Sequence, residues 1–151
     1  MKVPSEEILH KVSQWLAHAD EDLRLAAYAL KMRGKERPFR LIAYHGQQCA
    51  EKCLKAFLVY HNVDFPYTHS IRKLLKLCEK YGTWAQALKD AEELTPYAIT
   101  ARYPGEDEPV TKGQAQKAVK NRPESAKASA DSTCRVRHRL ARGTRTMNTI
   151  G

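Results

Sequence analysis

Tyr44-His45-Gly46-Gln47-Gln48-Cys49-Ala50-Glu51-Lys52-Cys53-Leu54-Lys55-Ala56-Phe57-Leu58 reads as one helix with two different faces. Cys49, Cys53, Phe57 and Tyr60 form an apolar row at spacings of four, four and three. Ala43, Ala50, Leu54 and Leu58 widen that row into the stripe of a helix packed against neighbours. On another side His45, Gln48, Lys52 and Lys55 recur at spacings of three, four and three. A row of imidazole, amide and ammonium groups is either an anion-facing surface or an ordinary solvated helix face.

The same helical period extends to both sides. A first segment from about Ser5 to Met32 carries its buried stripe at Ile8, Val12, Trp15, Leu16, Ala19, Leu23, Ala26 and Leu30. Ser5 suits its N-cap, Glu6 and Glu7 suit the positive end of its dipole, and Gly34 suits its end. Asp20, Glu21 and Asp22 form an acidic step on this segment, read as a solvated face. The central helix starts near Pro38 and runs to about His61, where Asn62 to Thr68 reads as a loop. A third helix spans about Ser70 to Tyr81 and buries Ile71, Leu74, Leu75 and Cys78; a fourth spans about Trp84 to Leu94. Tyr97 to Pro109, crowded with Pro104, Gly105 and Pro109, reads as a loop. A fifth helix opens at Thr111, with Gln114 at capping-box spacing. The expected fold is all-α, an up-and-down bundle of four to five antiparallel helices over residues 5–121, with Trp15, Leu16, Leu23, Leu54, Phe57, Leu74, Leu88 and Leu94 mostly inside.

The pattern stops at Pro123. The chain has 151 residues and a net charge of +9, and residues 123–151 supply six of the 26 basic side chains against Glu124 and Asp131. Lysine outnumbers arginine 13 to 7 before that point, whereas afterwards the ratio is 1 to 5. Residues 122–151 are therefore expected to be a disordered basic tail, either read out of the ancestral frame or serving as a nucleic-acid-binding arm. The four cysteines include no Cys-x-x-Cys pair and no histidine at zinc-ligand spacing, so they read as core thiols, and no metal or cofactor is expected. No apolar run is long enough to span a membrane and no signal-peptide core follows Met1, which points to a soluble cytoplasmic chain without a membrane partner. His10, His18 and His61 read as helix-surface positions, and His69 as a cap or packing residue at the third helix.

Trp15-Leu16-Ala17-His18-Ala19-Asp20-Glu21-Asp22-Leu23, Tyr44 to Ala56, Thr68-His69-Ser70-Ile71-Arg72-Lys73-Leu74-Leu75 and Ala101-Arg102-Tyr103-Pro104-Gly105 together resemble the HEPN domain family of small bacterial and archaeal helical proteins. The resemblance covers about residues 5–121. It implies a helical bundle, usually a homodimer, that binds nucleotide or RNA. It further implies either a small nucleotidyltransferase partner within a toxin–antitoxin or defence system, or a metal-independent ribonuclease toxin. The ribonuclease members carry an arginine and a histidine with four to six residues between them near the start of the last long helix. Here residues 103–121 contain no histidine, and the spacing recurs only as Arg40 to His45 on the central helix. Five residues of helix turn through about 500°, which leaves those two side chains roughly 140° apart. The candidate catalytic residues are thus His45 with Arg102 or Arg40, and the candidate phosphate- or base-binding residues are Gln48, Lys52, Tyr103 and Arg40. The alternative is a non-catalytic structural protein.

Overall fold

The computed structural model describes residues 4–82, 89–100 and 109–120. Helix α1 spans Glu6–Leu30, α2 Phe39–Tyr60 and α3 Ile71–Cys78, with a 3-10 turn at Glu79–Tyr81. A 3-10 segment, Lys89–Leu94, leads to the short α4, Tyr97–Thr100, and α5 spans Lys112–Lys120. Every one of these elements is helical, so the fold is all-α.

The helix ends follow from local chemistry. Ser5 Oγ accepts from the Ile8 amide at 3.3 Å, and Ser70 Oγ from the Lys73 amide at 3.4 Å. Thr111 and Gln114 complete a reciprocal cap: the Thr111 amide donates to Gln114 Oε1 at 2.9 Å, and the Gln114 amide to Thr111 Oγ1 at 3.2 Å. Helix α2 ends in a Schellman turn. Asn62 takes φ 55°, the Val63 amide reaches the Leu58 carbonyl at 2.9 Å, and the Asn62 amide reaches Val59 at 3.0 Å.

Helix α2 is the axis of the molecule. From Gly46 to Leu58 every residue except Lys52 is buried, the pattern of a helix covered on all sides. Helix α1 runs antiparallel along it: Val12 and Leu16 meet Ala56, Ala19 meets Cys49 and Cys53, and Ala26 meets Ile42. On its other flank α2 packs Leu54, Phe57 and Leu58 against Ile71, Leu74, Leu75 and Cys78 of α3 and against Ala91 and Leu94. Helix α5 closes the last side through Ala115 and Ala118. It approaches so closely at Gly46 that a Cβ there would lie 2.8 Å from the carbonyl carbon and oxygen of Ala118.

Three expectations change. The fourth helix is, where described, the 3-10 segment Lys89–Leu94, whose Thr95 amide bonds back to Glu92 at 3.2 Å. Pro96 follows directly and disfavours an α-conformation in the residue before it, so the stretch cannot run on as an α-helix. The supposed loop from Tyr97 begins as a helical turn, Tyr97–Thr100, which Pro96 pre-organises. Of the expected core, Leu16, Leu54, Phe57, Leu74 and Leu94 are buried, Trp15 and Leu23 are half-buried, and Leu88 lies outside the described residues. Cys49, Cys53 and Cys78 are buried free thiols, and burial pushes Cys78 up to about 12.

Candidate functional site

The acidic step of α1 is not a solvated face. Asp22 is buried, because its place opposite His45 and Lys52 of α2 falls in the seam between the two helices. His45 Nδ1 lies 2.8 Å from Asp22 Oδ1, and Lys52 Nζ donates to Asp22 Oδ2. An ionised carboxylate only accepts, so Nδ1 carries the proton in that bond and Nε2 is left with a lone pair. Nε2 has no hydrogen-bond partner among the described residues, and Arg37 Nε is the one fully buried side-chain N or O atom without a partner among them. The His45 and Lys52 side chains retain 26% and 21% exposure. The seam therefore presents an oriented imidazole and an ammonium group at a partly open surface, both fixed by one carboxylate.

A second polar cluster lies deeper. Glu51 Oε1 accepts from Lys55 Nζ at 2.7 Å, and Oε2 from Gln47 Nε2 at 2.9 Å. His69 Nδ1 lies 3.1 Å from Oε2. Gln48 donates to Gln47 Oε1 at 2.7 Å, and Lys55 sits 5.5 Å and 5.7 Å from the Trp15 and Phe65 ring centres. Burial pushes the Glu51 carboxyl up, but the Lys55 and Gln47 hydrogen bonds, the Lys55 charge and His69 outweigh it and hold the group below its ordinary 4.5. His61, expected at the surface, is half-buried. It stacks on Tyr81 at 4.6 Å and tilts against Phe57 at 4.4 Å, and burial lowers its pKa below 6.5.

Both shifts make the fold acid-sensitive in the same direction. The unfolded chain takes up the His61 proton first, so stability falls as pH drops from 6.5 through the lower folded value. The ionised Glu51 contributes stability above 4.5 that is lost as pH falls through its depressed folded value. Urea unfolding should show two declines, one below 6.5 and one below 4.5, and His61→Phe should remove only the first. Stability that stays flat or rises on acidification would contradict this.

The structure separates the residues that spacing grouped together. His45 and Lys52 share Asp22, whereas Gln48 and Lys55 are buried with their polar ends turned to Gln47 and Glu51. Arg40 is exposed, five residues before His45 on α2. Arg102 and Tyr103, together with residues 122–151, lie outside the described residues. Thr100, the last residue of α4, comes two positions before Arg102. Close to α4 a cleft of about 380 Å³ opens between the Leu94–Tyr97 stretch and α5, lined by Glu93, Tyr97, Gln114 and Lys117 among others. Sequence reasoning missed Asp22, Glu51, Gln47 and His69 as a set. The i, i+4 spacing of Glu51 and Lys55 was visible, but nothing local shows that a charged pair is buried. Among the described residues no group of three His, Cys, Asp or Glu side chains is arranged to hold a metal ion, and no helix is long and apolar enough to cross a membrane.

Comparison with known families matches residues 12–124 to the HEPN domain. The match covers most of the chain, so this protein belongs to the HEPN family. Membership supports, in general terms, a nucleotide- or RNA-related module of a kind that commonly dimerises. Neither a curated protein nor a solved structure matches the chain.

Proposed function

We propose that this chain is a nucleotide- or RNA-binding HEPN module that works as a homodimer with a small nucleotidyltransferase partner in a toxin–antitoxin or defence system. The observation that carries the binding role is the Asp22–His45–Lys52 arrangement: a cation and an imidazole held at a partly open seam by a single buried carboxylate. An ammonium donor fixed in this way is suited to a phosphate oxygen, and the Nε2 lone pair beside it to a ribose hydroxyl or base N–H. Arg102 and Tyr103 would add a guanidinium and a stacking ring from the chain beyond α4, and Arg40 a further charge at the start of α2.

The same observation favours one alternative, a metal-independent ribonuclease. A histidine whose Nδ1 is held by a carboxylate keeps Nε2 as its proton acceptor, the arrangement that general-base chemistry requires. Arg102 or Arg40 would then neutralise the scissile phosphate.

Incubation of the purified protein with total RNA in EDTA separates the two readings. As a binding module the protein leaves RNA intact, and Lys52→Ala and Arg102→Ala each weaken nucleotide or RNA binding. As a ribonuclease it cleaves RNA in EDTA, and His45→Ala abolishes cleavage while most binding remains. If all three variants match the parent in both assays, the seam is not the functional site.

A further inference from the structure

Residues 24–40, the end of α1 and the turn into α2, hold Arg24, Lys31, Arg33, Lys35, Arg37 and Arg40 against one acid, Glu36. Their excess of +5 equals the whole excess of residues 1–122. Elsewhere many cations are matched within the fold, as in Lys11–Glu7, Lys52–Asp22, Lys55–Glu51, Arg72–Glu92 and Lys117–Glu93. Arg24, Lys31, Arg33 and Lys35 are exposed and have no carboxylate partner among the described residues. Tyr28 stands 75% exposed beside them, with the exposed Leu25 three residues before it on α1 and the exposed Met32 four residues after it, just beyond the helix end. Arg24 lies one turn before Tyr28, and Lys31 lies one turn after it. The turn is pinned in place: Arg37 Nη1 donates to the Leu30 carbonyl at 2.9 Å, and its guanidinium lies 5.2 Å from the Phe39 ring centre.

A solvated charge run does not need an exposed tyrosine flanked by leucine and methionine, and that apolar face is left exposed among the described residues. Unmatched cations around one open aromatic ring form the pattern that receives a single nucleic-acid strand, with phosphates on the cations and a base on the ring. A second copy of the chain fits poorly, because a two-fold contact here would set the same cations against one another. The face begins three residues beyond Asp22 and runs about 10 Å, from Leu25 over the last turn of α1 to Met32 just past its end.

We propose that the C-terminal half of α1 and the α1–α2 turn form a single-stranded RNA track, with Tyr28 as the stacking platform and Arg24 and Lys31 as phosphate contacts. This rests on the nucleotide- or RNA-binding reading of the protein and adds a surface outside the seam. The test is fluorescence anisotropy of a labelled single-stranded oligouridylate with the full-length chain across a salt series. Tyr28→Ala should weaken binding roughly tenfold with the salt slope unchanged, and Tyr28→Phe should bind like the parent. Arg24→Gln with Lys31→Gln should lower the slope by about 1.4, as expected for two lost phosphate contacts. All these side chains are exposed, so unchanged melting in each variant shows that the fold is intact. If the parent binds and only His45→Ala and Lys52→Ala weaken it, the track is wrong and the seam reading stands. If the parent binds no oligonucleotide, the underlying reading fails and the track fails with it. If Tyr28→Ala impairs binding to polyglutamate or to anionic vesicles but not to RNA, the surface serves another partner and the proposal is overturned.

Discussion

Glu51→Ala should destabilise the protein by about 3–5 kcal/mol, the loss expected when one partner of a buried ion pair is removed. The Glu51 and Lys55 side chains are only 4% and 8% exposed, so the ammonium group left behind cannot recover its hydration. The Trp15 and Phe65 rings beside Lys55 replace only a fraction of a carboxylate. Gln47 and His69 lose their shared acceptor in the same step. The cost therefore comes mainly from the stranded charge. Glu51→Leu combined with Lys55→Met should recover most of it, because an apolar pair of similar volume replaces a buried ion pair at little cost. Urea denaturation of the three proteins measures this. A loss below about 1 kcal/mol for Glu51→Ala would mean that water reaches the cluster.

Gly46→Ala carries the second large effect, and its sign is the informative part. Inside a helix, glycine to alanine ordinarily gains up to about 1 kcal/mol. At Gly46 the new methyl would stand 2.8 Å from the Ala118 carbonyl, which is backbone and cannot rotate away. Helix α5 must shift, and overpacking of this kind costs about 1–3 kcal/mol. Gly113, in α5, is the control: its nearest neighbour to an added Cβ is Thr111 Oγ1 at 4.0 Å, so Gly113→Ala should stabilise. A stabilising Gly46→Ala would show that α2 and α5 do not meet at this point.

The helical fold was legible because each long helix carries its own stripe and its own end signals. Ser5, Ser70 and the Thr111–Gln114 pair mark their helices in the sequence and make the corresponding bonds in the structure. The stretch before Pro96 is helical as the α-helix formers of KDAEEL suggest, but it takes the 3-10 form, and Pro96 accounts only for its end at Thr95. The polar site was less legible, because burial is a tertiary property. His45, Gln48, Lys52 and Lys55 look alike on a helical wheel. Only the arrival of α1 on one side and of the Phe65–His69 loop on the other sends His45 and Lys52 to Asp22 and Lys55 to Glu51. Asp22 reads as a solvated acid in the sequence because it stands in one acidic run with Asp20 and Glu21, of which Glu21 is exposed.

The most direct test of an RNA or nucleotide role for the α1–α2 seam is nitrogen-15 NMR of the histidine rings in the full-length protein, with and without a single-stranded oligouridylate. The account predicts that His45 carries its proton on Nδ1, that its Nε2 resonance moves saturably as oligonucleotide is added, and that Lys52→Ala weakens that response. A His45 ring protonated only at Nε2, or an Nε2 resonance that stays fixed while the protein binds RNA, would contradict it.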